Sequence, residues 1–270
     1  MVAGLVILLG QWWLVSFCGQ RPGLGGGPMN EVTHTDRSCD GASLPSWRLS
    51  LLGAWQLCVR DNMVDVGING QRLLALLAVR GACDRPYISG TLWPDCSDQR
   101  AQANLRATLT RLHRRHVDHI IHLDYRLLSL QEQVRVDVQD LIATASAVLD
   151  GTRPPDRCAL RQLCANDLLA GWYEDWVLSE RERLRQLRLH ALEALSGQLL
   201  AIGDPMAAVD AALEAVALEP LRESAHRAAI RAYLVEGNRG EALYQLGKLR
   251  RVLLGELGIQ PSTLVTDLFN

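Results

Sequence analysis

Two glycine turns, Gly203-Asp204 and Gly237-Asn238, stand 34 residues apart, and the same interval separates Ala208 from Ala242 and Leu199 from Tyr233. A repeat of this length, with glycine at the turn and alanine where helices cross closely, predicts a stack of paired antiparallel helices. The surrounding sequence agrees. From about Val138 onward apolar residues recur at 3.6-residue spacing, and the runs break at Pro154-Pro155, Gly171, Gly203-Asp204-Pro205, Pro220, Gly237-Asn238 and Pro261. The second half of the chain is therefore expected to be all helical.

The first half follows a different rhythm. Residues 19 to 46 are rich in Gly, Pro, Ser and Asp without periodicity and read as linker. "WRLSLL", "WQLCVR" and "MVDVGI" then alternate as short strands of an antiparallel sheet, separated by Gly53 and by Asp61-Asn62. In "NGQRLLALLAVRG", Leu73, Leu74, Leu76 and Leu77 form a buried stripe, and Gly81 closes the helix. "YISGTLWP" supplies a short helix stopped by Pro94. Ser97 is placed to cap a third helix, with Asp98 in its first turn where the dipole favours an acid. "HIIHLDYRLLSL" reads as a hairpin turning at Asp124-Tyr125-Arg126. Sheet, three helices and a terminal hairpin make a winged helix-turn-helix. The fold class expected is thus an α+β winged helix-turn-helix followed by an all-α, tetratricopeptide-like helical domain. The boundaries are set at 1–46 for leader and linker, 47–130 for the winged helix and 131–270 for the helical part.

The third helix carries the functional signal. At 100° per residue, Ala101, Leu105, Thr108, Leu109 and Leu112 fall in one arc, while Arg100, Ala103, Asn104, Ala107, Thr110, Arg111, Arg114 and Arg115 fall in the opposite one. Arg106 sits to the side. Alanines let a helix approach a surface, and longer donors reach past them. A helix in the DNA major groove needs that shape, with Arg placed for guanine and Asn for adenine. Arg72, early in the first helix, and Arg126, at the hairpin tip, are placed to touch phosphates. Charge supports the reading. Gly70 to His116 holds eight arginines against three aspartates, a local +5 in a chain of −2, which leaves −7 elsewhere. The competing reading is a solvated helix in a GC-rich bacterial proteome, in which Lys248 is the only lysine among 28 basic residues.

Other features point to less. His113, His116, His119 and His122 recur every third residue, but a helix ending near His116 cannot present all four on one face, so no metal site is expected. The seven cysteines are odd in number and contain no C-x-x-C pair, which favours a reducing compartment over a disulfide framework. No phosphate loop, H-E-x-x-H or G-x-S-x-G motif is present, so no enzyme and no cofactor are expected.

The segment "MVAGLVILLGQWWLVSFC" is apolar and uncharged. It lacks the basic start of a signal peptide, and as a membrane span it is short and interrupted by Gln11. Translation beginning at Met29 is the preferred expectation. Under the alternative, a membrane anchor, Arg21 and Arg37 would hold the following domain in the cytoplasm.

Four segments in order, "QRLLALLAVRG", "LWPDCSDQRAQANLRATLTRLHR", "LLAGWYEDWVLSERERLR" and "PLRESAHRAAIRAYLVEGNRGEAL…ELGIQPS", resemble the SARP family of bacterial transcriptional activators over roughly residues 47 to 268. That resemblance implies a cytoplasmic activator, at the nucleoid, that binds short tandem direct repeats in promoter DNA and often controls secondary-metabolite genes. It also implies RNA polymerase with its sigma factor as partners, and head-to-tail pairing with a second protomer on the repeats. By position, Arg100, Asn104, Arg111 and Arg114 correspond to the recognition helix, and Tyr125-Arg126 to the wing. Trp172 and Trp176 are read as core anchors at the opening of the activation domain. The chain lacks the phosphate loop of the large family members, a preceding receiver domain is not visible, and the apolar leader is foreign to the family pattern. A second class remains open, a tetratricopeptide-like interaction scaffold whose winged helix no longer binds DNA.

Overall fold

The structure, a computed structural model, describes residues 47–269. The apolar leader and the linker fall outside them. Among the described residues no helix is long and apolar enough to cross a membrane.

The described residues begin with β1 (Trp47–Ser50), β2 (Gln56–Val59) and β3 (Asn62–Met63), an antiparallel meander whose β2–β3 turn places Arg60 and Asp61 at positive φ. The third strand is shorter than "MVDVGI" suggests. Past Met63 the chain leaves the sheet, Val66 is buried by packing, and Ile68 opens a helix instead of ending a strand. A fourth strand, β7 (Val134–Val136), joins β1 in parallel, giving the order β3-β2-β1-β7.

Between them lie α1 (Ile68–Arg80), the two-residue β4 (Cys83–Asp84), α2 (Arg85–Leu92) and α3 (Asp98–Arg114). The β5–β6 hairpin follows, Ile121–Leu123 and Leu127–Leu130, and pairs through β6 with β4. Leu73, Leu74, Leu76 and Leu77 of α1 are fully buried, and Gly81 ends the helix at φ 76°. The Asp84 side chain caps α2 by accepting from the Tyr87 N–H. This is the winged helix-turn-helix expected from the sequence.

The second half is all helical: α4 (Asp137–Leu149), α5 (Arg157–Leu163), α6 (Asp175–Ala201), α7 (Pro205–Leu218), α8 (Glu223–Glu236), α9 (Arg239–Leu257) and α10 (Thr263–Thr266). Every breaker named from the sequence falls between two of these elements, except Pro205, which opens α7 at its first position. Gly203 and Gly237 sit at φ 82° and 87° in the turns after α6 and α8, so the 34-residue interval marks equivalent turns of two helix pairs. Ala208 and Ala242, equivalent under the repeat, are fully buried where the helices pack.

The two halves share a core. Trp176, Val177 and Leu184 of α6 pack with the leucines of α1 and with Leu49 and Leu51 of the sheet. The N–H groups of Leu169 and Ala170 donate to the carbonyls of Leu51 and Gly53, and the Gly53 N–H donates to the Asp167 carbonyl, so the loop before α6 extends the amino-terminal sheet. Arg181 holds that loop by donating to the carbonyls of Leu168, Leu169 and Trp172. The Asp137 carboxylate, at the start of α4, accepts from the backbone N–H groups of Leu51, Leu52 and Val138.

Candidate nucleic-acid interface

Helix α3 is held from behind and left open in front. Ala101, Leu105, Thr108 and Leu112 are buried, and Leu109 is half-buried, as the helical wheel requires. Its amino-terminal residue Ser97 has the extended backbone of a cap, yet its side chain makes no capping hydrogen bond, so Asp98 is the acid left to meet the helix dipole. The carboxy-terminal half is drawn close to α1 by Gly70. A Cβ there would stand 2.6 Å from Val66 Cγ1 and 3.0 Å from a Leu112 methyl, so no larger residue fits without displacing them.

The opposite face is exposed. Arg100, Arg106, Arg111 and Arg114 are solvent-facing, and none makes an ion pair with a described residue. Ala103 and Ala107 lie exposed among them, and Asn104 is half-buried. Unpaired guanidinium groups around small residues leave the face both cationic and shallow, as groove entry demands. Arg115 is more constrained. It donates to the carbonyl of Asp65 at 2.6 Å and pairs with its carboxylate at 3.0 Å, which fastens the end of α3 to the loop before α1.

A cleft of about 390 Å³ lies beside this tie, lined by Arg111, Arg114 and Arg115 of α3 and by Gly67, Ile68 and Asn69 at the start of α1. Sequence reasoning did not single out the α1 residues. Their part depends on a long-range approach of two helices, and the glycine that permits it, Gly70, is the one local sign of it.

At the wing, Tyr125 is 90% exposed and the Arg126 guanidinium lies 5.7 Å from its ring centroid. Asp124 shapes the tip. Its N–H donates to the Leu127 carbonyl and its carboxylate accepts from the Tyr125 N–H. Tyr125 and Arg126 therefore project together from the hairpin.

Arg72 departs from the sequence expectation. Its side chain is 17% exposed, Nη2 donates to the Leu92 carbonyl at 2.7 Å, and Nε lies 2.8 Å from Glu174 Oε1, close enough for an ion pair but off line for a hydrogen bond. This arginine ties α1 to the end of α2 and to the helical half. It is not presented to a phosphate.

Two of the four histidines have local partners. His113 Nδ1 lies 2.7 Å from Asp118, and that hydrogen bond holds the Asp118 carboxyl below its usual range. His119 packs edge-on against Trp47 at 5.1 Å, while His116 takes a positive φ at the end of α3. Trp176 is buried and Trp172 half-buried against the shared core, the anchoring positions expected of them.

Residues 157–270 match the model of the bacterial transcriptional activator domain. This part of the chain is similar to that domain, and the match supports the resemblance to the SARP family. A comparison with curated protein sequences finds no match. Among solved structures, the chain is similar to EmbR of Mycobacterium tuberculosis, described in complex with a low affinity phosphopeptide, at a TM-score of 0.67 and 18% identity. The match covers 83% of this chain and 64% of that one, so this chain spans less than two thirds of the solved relative. At this identity the likeness speaks for the fold, a winged helix joined to the helical activator domain.

Proposed function

We propose that the protein is a sequence-specific DNA-binding transcriptional activator that enters the major groove with α3. The observation that carries this reading is the exposed face of that helix, four arginines without ion-pair partners among the described residues around two exposed alanines, set in a winged helix and joined to a segment that matches an activator domain. Arg100, Asn104, Arg111 and Arg114 read base edges, each good contact contributing about 1–3 kcal/mol of discrimination. Arg106, Arg115, Tyr125 and Arg126 meet the backbone beside the groove, which makes binding strongly salt-dependent. Arg72 positions α1 and is withdrawn from this set.

The family supports the rest of the reading. The helical half meets RNA polymerase and its sigma factor, a second protomer sits head to tail on tandem promoter repeats, and the genes controlled are those of secondary metabolism. The protein then works on cytoplasmic DNA at the nucleoid.

The test is a selection of bound fragments from GC-rich bacterial genomic DNA by the full chain, at two salt concentrations. It is repeated with Arg111→Ala and Arg114→Ala combined. A recovered repeat motif that the double variant loses is the expected result. Recovery of nothing at either salt, from folded protein, would overturn the reading and favour the protein-interaction scaffold.

A further inference from the structure

The helical half has a groove of its own. It runs between α6 and α8, holds about 420 Å³, and has Gly197, Leu200 and Ala201 of α6 on its floor with Arg227, Arg231 and Val235 of α8 beside them. The volume falls in the range of pockets that take small ligands or a few side chains.

The floor is open and apolar. A Cβ built on Gly197 meets no atom within 4 Å, Ala201 is exposed, and Val235 is 63% exposed. An exposed valine beside an exposed alanine and a half-buried leucine is apolar surface without a covering element among the described residues.

The rim is cationic. Arg227 and Arg231 stand one helical turn apart on α8, and neither makes an ion pair or side-chain hydrogen bond with a described residue. The carboxylate across the groove, Glu193, is already engaged. It accepts from Arg222 Nε at 2.7 Å and from Ser224 Oγ at 2.6 Å. The two free guanidinium groups therefore face a groove whose own acid is neutralised, and their match is an incoming carboxylate.

We propose that this groove binds a short acidic segment of another protein, with aliphatic side chains on the Gly197–Leu200–Ala201 floor and carboxylates on Arg227 and Arg231. A nucleic-acid backbone would satisfy the arginines but leave the aliphatic floor facing phosphate and water. An aliphatic, acidic peptide satisfies both at once. The proposal does not depend on DNA reading by α3, since the groove lies wholly within the activator domain.

The experiment uses the full chain to select from a displayed library of random 12-residue peptides, with a fluorescein-labelled 20-residue oligothymidylate titrated in parallel. The expected result is recovery of peptides that place Asp or Glu beside Leu, Ile or Val. Their affinity falls at least about tenfold in an Arg227→Glu, Arg231→Glu double variant. A second variant, Gly197→Leu, fills the floor without changing charge and is expected to abolish the same binding. Arg231 and Gly197 are exposed and Arg227 is half-buried, and each variant is to melt at the temperature of the parent. Recovery of no peptide, of peptides without acids, or of peptides that bind both variants as well as the parent would overturn the proposal. So would an oligothymidylate affinity that the double variant loses, since the occupant would then be nucleic acid.

Discussion

Glu180 sits where the two halves meet, and removing it measures how firmly they are joined. Its side chain is 2% exposed, with Oε1 2.7 Å from Arg80 Nη2 of α1 and Oε2 2.7 Å from Arg183 Nε of α6. Breaking a fully buried ion pair from one side costs about 3–5 kcal/mol, because the other charge is stranded. Here the stranded groups are the guanidiniums of Arg80 and Arg183, which are 40% and 49% exposed and can turn to water. The cost of Glu180→Ala is therefore expected below that range, about 2 kcal/mol, part of it from buried methylenes lost with the side chain. The reference is the Arg48–Asp61 pair, 60% and 85% exposed, where Asp61→Asn, which keeps a side chain suited to the positive φ of that turn, is expected to cost less than about 0.5 kcal/mol. Urea unfolding followed by tryptophan fluorescence reports the difference, because Trp47 and Trp176 lie in the shared core. At a slope of about 2 kcal/mol per molar urea, the midpoint for Glu180→Ala drops by about 1 M. Equal midpoints for the Glu180 and Asp61 variants would refute the view that this buried carboxylate fastens the halves.

Asp137→Ala removes the acceptor of three backbone N–H groups on two distant segments, and urea unfolding is expected to show a loss of about 3 kcal/mol. His226 is fully buried, with Nε2 3.0 Å from the Pro220 carbonyl and Nδ1 3.0 Å from the Gln245 amide, and burial pushes its pKa below the ordinary 6.5. The unfolded chain therefore takes up the proton first. Stability is full above pH 6.5 and declines as the pH falls from 6.5 toward the lower folded value, a component that His226→Gln removes from the pH dependence of the urea midpoint. Gly237→Ala forces a Cβ into φ 87° where no atom obstructs it, so the cost is backbone strain alone, about 1 kcal/mol. Gly255→Ala, inside α9 with equally open surroundings, is expected to raise stability by about 0.5–1 kcal/mol, and thermal melts give the two signs.

Elements whose signal is local were legible in the sequence. The amphipathic arc of α3, the Asp124–Arg126 hairpin turn and the glycine turns at Gly203 and Gly237 each depend on residues a few positions apart. What escaped depends on distance along the chain. Arg72 finds Glu174 a hundred positions later, and periodicity within α1 says nothing of such a partner. The parallel pairing of β7 with β1 spans nearly ninety residues, and β4 has two residues, too few to alternate. Leu169 is a buried leucine at φ 49°, a conformation its own sequence does not favour. It is held there by backbone pairing with Leu51 and by Arg181, a tertiary override of local preference. At the candidate site the exposed arginines of α3 were readable, whereas the cleft beside α1 was not, because it exists through the Gly70–Leu112 approach.

The central claim is that the exposed alanines of α3 lie against DNA, and one comparison tests it. The affinity of the full chain for a fragment recovered by selection is measured beside Ala107→Trp and Ala143→Trp, both at exposed helical positions, the second on α4. The account predicts that Ala107→Trp weakens binding on the order of 100-fold, about 2.7 kcal/mol, with unchanged melting, while Ala143→Trp binds as the parent does. An Ala107→Trp protein that holds the fragment as tightly as the parent would contradict it.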